Sequence, residues 1–252
     1  MKYEFNAEKV TDQVIEWIKN QVGNCNVVIG ISGGKDSTIT AMLLKLAIGK
    51  EKIYGVMIPQ GYQKDIKDSV RVINLLDIHR LEVNIGETYK TLTNEITKAL
   101  NKETPDMYTT NTPARLRMTT LYGVAAIVGN ARVINTCNGD EDYVGYSTKF
   151  GDSAGDFSPL ADFTVEEVLK IGEVCANRLN IYNAIEDLIF KTPDDGMSGK
   201  SDEEKLGFTY ETIGNYRRTG ICEPEDKKEK IDRMHKNNLH KLLPMPKFEY
   251  KK

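Results

Sequence analysis

Ser32-Gly33-Gly34-Lys35-Asp36-Ser37 gathers two hydroxyls, paired glycines and a carboxylate directly behind the apolar run Val27-Val28-Ile29-Gly30-Ile31. The apolar run suits a buried strand, and Thr38 to Ile48 has apolar residues at helical spacing, so the loop lies at a helix N-terminus. Unpaired N–H groups and the positive end of the helix dipole favour an anion there, and glycines let backbone approach phosphate oxygens without a Cβ in the way. Gly30, Ile31, Ser32, Gly33, Gly34, Lys35, Asp36 and Ser37 therefore read as a pyrophosphate cradle. Ser32 and Ser37 add hydroxyl donors, and Asp36 can hold a divalent cation through its carboxylate. The G-x-x-x-x-G-K-[ST] spacing of the NTP-hydrolysing P-loop is absent.

The elements that must position this loop alternate. Strands are expected at 27–31, 53–58, 80–85 and 131–136, with helices at 37–48, 64–77, 86–101 and 113–128, after a first helix carrying Val10, Val14, Ile15, Ile18 and Val22. This order implies an α/β fold, a doubly wound parallel sheet with helices on both faces, whose ligands bind outside the carboxyl ends of the strands. Met57-Ile58-Pro59 ends the second expected strand beside the loop and offers a wall for an adenine ring, with Gln60, Gln63 and Lys64 following. Residues 138–158 lose periodicity, and a connection of that length is expected to be functional. Residues 191–204 are almost devoid of apolar side chains and read as a mobile lid. Helical spacing returns at 164–178, 183–190, 209–217 and 225–239, before an extended tail from Leu242 to Pro246.

The 252 residues are expected to form a single domain, 1–252. A net charge of −3 leaves no electrostatic footprint for nucleic acid or an anionic membrane. No apolar run approaches the roughly 20 residues of a membrane span, and the N-terminus has no signal-peptide core, so a cytoplasmic protein is expected. Cys25, Cys137, Cys175 and Cys222 form no C-x-x-C pair and read as free thiols.

The segment Asn135-Thr136-Cys137-Asn138-Gly139-Asp140-Glu141 and its continuation through Lys149 to Asp152 make a resemblance specific. With the Ser-Gly-Gly-x-Asp-Ser loop, Arg115-Leu116-Arg117-Met118, Asp156-Phe157-Ser158-Pro159-Leu160, Ser201-Asp202-Glu203 and His240-Lys241, the chain resembles the ammonia-dependent NAD synthetases of the N-type ATP pyrophosphatase superfamily, over roughly residues 10 to 245. The resemblance implies conversion of nicotinic acid adenine dinucleotide (deamido-NAD) to NAD with ATP, ammonia and Mg²⁺, through an adenylate and with release of pyrophosphate. It implies that Asp36 and Glu141 hold the metal, that Thr136 touches ATP, and that Arg115, Lys149, Asp156, His240 and Lys241 contact deamido-NAD. Asp36, Glu141 and Lys149 are the catalytic candidates. It also implies a homodimer with deamido-NAD at the interface, for which residues 113–128, including Val124, Ala125, Ala126, Ile127 and Val128, are a candidate surface or equally a core segment.

Other readings stay open at this level. Arg115 follows Pro113-Ala114 at an expected helix start, where a guanidinium and the dipole suit an anion, but Arg117 can carry the same role or form an ion pair. Thr136 and Asp156 can equally cap local backbone, and His240 alone reads as a surface histidine. Val165 and Asp194 stand where many family members carry Lys and Thr or Ser, so that Lys35, Lys191 or Lys200 must supply the missing charge or the loops are arranged differently. An ATP-binding sensor on the same scaffold, or a tRNA-modifying adenylating enzyme, is the alternative function; the latter calls for paired cysteines or a basic surface that the chain lacks.

Overall fold

Val27, Val28 and Ile29 are all fully buried, and their alternation explains the architecture. Successive strand side chains point to opposite faces. Val27 and Ile29 enter one apolar cluster with Ile39, Leu43, Ile53, Val72, Ile171 and Leu188, while Val28 enters another with Val56, Ile58, Ala125 and Val133. A strand buried on both faces needs helices on both, as expected for a parallel sheet.

The computed structural model describes residues 4–63, 66–191 and 201–250. In chain order its elements are α1 (Ala7–Val22), β1 (Asn26–Gly30), α2 (Lys35–Ile48), β2 (Ile53–Met57), α3 (Ile66–Leu76), β3 (His79–Glu82), α4 (Gly86–Leu100), α5 (Asp106–Val128) and β4 (Ala131–Val133). There follow α6 (Gly139–Val144), α7 (Val165–Arg178), α8 (Tyr182–Ile189), α9 (Asp202–Leu206), α10 (Tyr210–Thr219) and α11 (Lys228–Leu242). The four strands are parallel in the order β3-β2-β1-β4. α1, α2, α3, α7 and α8 cover one face, and α5 covers the other. Because the chain moves from β1 outward to β2 and β3 and then returns to the far side of β1, the order reverses between β1 and β4, where a crevice opens at the carboxyl ends. A third apolar cluster of Val144, Leu206, Phe208, Tyr210, Ile213 and Ile231 joins α6, α9, α10 and α11. Among the described residues no helix is long and apolar enough to cross a membrane.

Several expected boundaries move. The fourth strand ends at Val133, after which Ile134 makes an isolated bridge with Phe157. The third ends at Glu82; Asn84 then binds the backbone of Gly61 and Gly86 and turns the chain away. The helix expected at 113–128 begins at Asp106, so Pro113 lies buried inside it. Arg115 is therefore in the helix interior, and the dipole argument made for it fails, because that field fades beyond the first turn. Residues 138–158 contain the short helix α6, which Asn138 and Glu141 cap reciprocally. The proposed dimer surface divides: Ala125 is core, whereas Ile127 is 88% exposed. Lys64 and most of the expected lid, with Asp194 and Lys200, lie outside the described residues.

Candidate active site

Two segments meet at the point where the strand order reverses. From β1, Ile31 to Gly34 leads into α2, whose first turn carries Lys35, Asp36 and Ser37. Gly33 adopts φ +79°, and a Cβ there would lie 2.8 Å from Asp68 Cβ and 2.9 Å from the Ser69 nitrogen, so only glycine fits. Ser32 and Ser37 hydroxyls lie 3.0 Å apart, and Ser32 Oγ accepts from the Gly34 N–H at 3.2 Å. From β4, Asn135 to Asn138 leads into α6, which carries Glu141 at its third position.

The carboxylates of Asp36 and Glu141 flank one ammonium. Lys35, only 5% exposed, places Nζ 2.5 Å from Asp36 Oδ2 and 4.0 Å from Glu141 Oε1. Its charge also lies 5.7 Å from the centre of the Tyr210 ring. Burial works against the Lys35 charge, but Asp36 and Glu141 together hold its pKa above the ordinary value. Burial and the neighbouring Asp36 push Glu141 up to about 8, with Lys35 opposing them. Asn138 ties the two segments: its side chain accepts from the N–H groups of Asp140 and Glu141 and donates to Asp36 Oδ1 at 3.4 Å. Behind it, Asp202 accepts hydrogen bonds from the Tyr146 and Tyr210 hydroxyls at 3.1 and 3.4 Å.

Two hard-oxygen carboxylates beside one lysine make a donor set that suits Mg²⁺ completing its shell with phosphate oxygens and water. Among the described residues no group of three or more His, Cys, Asp or Glu side chains encloses a metal, so any such ion depends on its ligand for further oxygens.

α6 is held by a buried ion pair that sequence reasoning missed. Asp140, with no exposed surface, accepts from Arg217 Nη1 at 2.7 Å and from the Val165 N–H at 2.8 Å. Gly139 lies so close to the guanidinium that a Cβ would approach Nη2 to 2.5 Å. Val165 thus serves as a backbone donor, with its side chain buried in an apolar cluster.

The other candidates divide. Lys149 donates to the His240 carbonyl and lies 5.2 Å from the centre of the Phe150 ring, while Arg115 Nε donates to the Lys149 carbonyl at 3.3 Å. Lys241 donates to the carbonyls of Gly145 and Ser147 at 2.6 and 2.9 Å. The end of α11 therefore folds back onto the segment after α6 and brings His240, Lys241, Lys149 and Arg115 together. Asp156 accepts from the Val133 N–H at 2.7 Å and the Tyr122 hydroxyl at 3.3 Å, so its carboxylate ties the loop after residue 150 to β4 and α5. The Thr136 hydroxyl has no hydrogen-bond partner among the described residues, and the residue lies half-buried three positions after the end of β4. The side chains of Ile31 and Met57 are buried in the core, so Met57 does not form an adenine wall with its side chain. Lys191 pairs with Asp68 at 2.9 Å, beside Gly33 rather than at the carboxylate pair. All four cysteines are free; burial, first of all, pushes the Cys137 thiol pKa up.

Comparison with known proteins agrees with this geometry. The family model described as NAD synthase matches residues 8–250. The NH(3)-dependent NAD(+) synthetase of Alkaliphilus oremlandii is 33% identical over 96% of this chain and 98% of that protein. The one from Thermococcus sibiricus is 35% identical over 96% and 89%. Among solved structures, NMN synthetase from Francisella tularensis superposes with a TM-score of 0.84 at 26% identity, covering 98% of this chain and all of that one. NAD+ synthetase from Burkholderia pseudomallei gives 0.73 at 26% identity, covering 96% and 92%. With the phosphate-loop geometry, the carboxylate pair and a match over nearly its whole length, the chain belongs to the NAD synthase family.

Proposed function

We propose that the protein is a ligase that amidates the nicotinate carboxylate of deamido-NAD with ammonia, at the cost of ATP cleaved to AMP and pyrophosphate. The carrying observation is the convergence of Asp36 and Glu141 around Lys35 where β1 and β4 part. A carboxylate is a poor electrophile. Attack of its oxygen on the α-phosphorus of ATP expels pyrophosphate and leaves a mixed anhydride with AMP. Ammonia then attacks the carbonyl carbon, the carbon–oxygen bond to AMP breaks, and the amide forms with loss of a proton.

In this reading the N–H groups of the Ser32–Gly34 loop and the first turn of α2 bind phosphate oxygens, and Thr136 adds a hydroxyl from β4. Asp36 and Glu141 are the residues that would hold Mg²⁺, which would supply positive charge against those oxygens. Lys35 holds the carboxylates together and lends its charge to the phosphates when they arrive. Such transfers depend mainly on position and electrostatics, which a buried, preorganised centre supplies. Arg115, Lys149, His240 and Lys241 form the far wall for the acceptor, and the exposed apolar residues of α5, Ile127 among them, support a homodimer. The free thiols suit a reducing cytoplasm.

A second acceptor is favoured by one observation. The NMN synthetase superposes at 0.84, above the 0.73 of the Burkholderia enzyme, which supports the mononucleotide of nicotinic acid as acceptor. The test supplies ATP, Mg²⁺ and ammonium with each acceptor in turn and follows both pyrophosphate and amide. A kcat/KM higher for the dinucleotide supports the first reading, one higher for the mononucleotide supports the second, and ATP binding without turnover of either overturns both.

A further inference from the structure

One cation in the crevice takes no part in the centre described above. Arg117 lies on α5, which runs antiparallel to the strands: its end meets the start of β1 through the Asn26 N–H donating to the Asn130 carbonyl. Leu121 of the same helix covers Gly30, the last residue of β1, where an added Cβ would lie 3.6 Å from Leu121 Cδ1. Arg117, one turn earlier, therefore stands about 6 Å beyond the strand ends, within the crevice. Its Nε donates to the Ile58 carbonyl at 3.2 Å, which pins the guanidinium just past β2.

Beyond that hydrogen bond, nothing among the described residues engages the fork. Arg71, Arg80, Arg178, Arg217 and Arg218 all have carboxylate partners within ion-pair distance, whereas Arg117, like Arg115, Arg132 and Arg233, has none among the described residues. Burial lowers its pKa below the ordinary arginine value, and Asp152 offsets this from a distance. A partly buried guanidinium with free donors and no counter-ion is a source of instability unless a ligand supplies the anion.

We propose that Arg117 is a binding residue for the acceptor, its two terminal amino groups gripping anionic oxygens of the acid substrate as a bidentate pair. This rests on the functional reading above. The acceptor, rather than ATP, is its ligand because the phosphate loop opens into α2 on the opposite face of the sheet, whereas Arg117 stands on the α5 side. An acceptor carboxylate attacking the α-phosphorus must come from outside the triphosphate, and on that side Arg117 neutralises the charge that would otherwise repel it. Arg115, exposed and bonded to the Lys149 carbonyl, orders the loop above it.

The experiment compares wild type, Arg117→Met and Arg117→Lys. Calorimetric titration with deamido-NAD, and separately with nicotinic acid mononucleotide, is done without ATP; KM for ATP and for acceptor and the thermal midpoint are then measured. Arg117→Met is expected to bind acceptor at least about tenfold more weakly, to keep its KM for ATP, and to melt at or above the wild-type temperature because an uncompensated charge has gone. Arg117→Lys restores charge without the fork and should recover only part of the affinity. Unchanged acceptor binding in Arg117→Met overturns the assignment, as does a loss confined to ATP. A lower midpoint in Arg117→Met with unchanged affinity in Arg117→Lys marks a structural side chain and also overturns it. If wild-type protein binds neither acceptor, the functional reading fails and this assignment with it.

Discussion

Replacing Arg217 with methionine tests whether the Arg217–Asp140 pair sets the position of α6 and hence of Glu141. Asp140 has no exposed surface, and its carboxylate is shared between Arg217 at 2.7 Å and the Val165 N–H at 2.8 Å. Burial already raises its pKa, against the pull of Val165 and Arg217. Without the guanidinium one N–H remains to compensate a buried charge, and breaking such a pair costs about 3–5 kcal/mol. For a chain of this size each kcal/mol moves the midpoint by about 2–4 °C, so a fall of roughly 10 °C is expected. Asp140 can escape the penalty by taking a proton. With Arg217 gone, its folded pKa rises further above its unfolded value, so the deficit is complete above the folded pKa and disappears as pH falls toward about 4. Urea unfolding of wild type, Arg217→Met, Asp140→Asn and the double variant, in metal-free buffer at about pH 7.5 and about pH 5, reads this directly. The double variant should recover much of the loss because no unpaired charge remains. A deficit under about 1 kcal/mol, or one that does not shrink with acid, would refute the reasoning.

Glu141→Gln should stabilise the metal-free protein. Its carboxyl is pushed to about 8 from an ordinary 4.5, so the folded state holds the extra proton between those values. The penalty is absent below the lower value, grows as pH rises and is complete above the upper. At neutral pH the variant should gain about 3 kcal/mol by this arithmetic, with no gain in acid; urea midpoints across pH measure it, and equal stability throughout would contradict it. Gly33→Ala forces a Cβ against Asp68 and Ser69 at positive φ; a stability loss of at least about 1 kcal/mol and a larger loss of ATP affinity are expected, read by melting and nucleotide titration. Lys149→Ala frees the His240 carbonyl and should raise KM for acceptor well above any change in KM for ATP.

The phosphate loop was legible because its chemistry is contiguous: a short β-branched run, two glycines and a helix with apolar spacing leave little freedom. The parallel sheet with helices on both faces followed from the same alternation, whereas its order β3-β2-β1-β4 is set by tertiary packing that no periodicity records. Helix α5 was legible only from Pro113 onward, because Asp106 to Pro113 carries threonines and a proline, and the context that keeps a proline buried inside a helix is tertiary. α6 hid among glycines and acids, although Asn138 and Glu141 three residues apart are a capping box that pattern reading can find. Met57 and Val56 face opposite sides of the sheet and both are buried, because a strand covered on both faces leaves pattern reading no exposed side to choose. Arg217 could not be assigned to Asp140 from sequence, because 77 positions separate them and no periodicity links the two.

The central claim is that the crevice between β1 and β4 joins the acceptor's carboxylate oxygen to the α-phosphorus of ATP. An acceptor labelled with heavy oxygen in its carboxylate, turned over with ATP, Mg²⁺ and ammonium, tests this most directly by mass spectrometry of the products. The account predicts that AMP carries one labelled oxygen and pyrophosphate none. Unlabelled AMP beside a newly formed amide would contradict it.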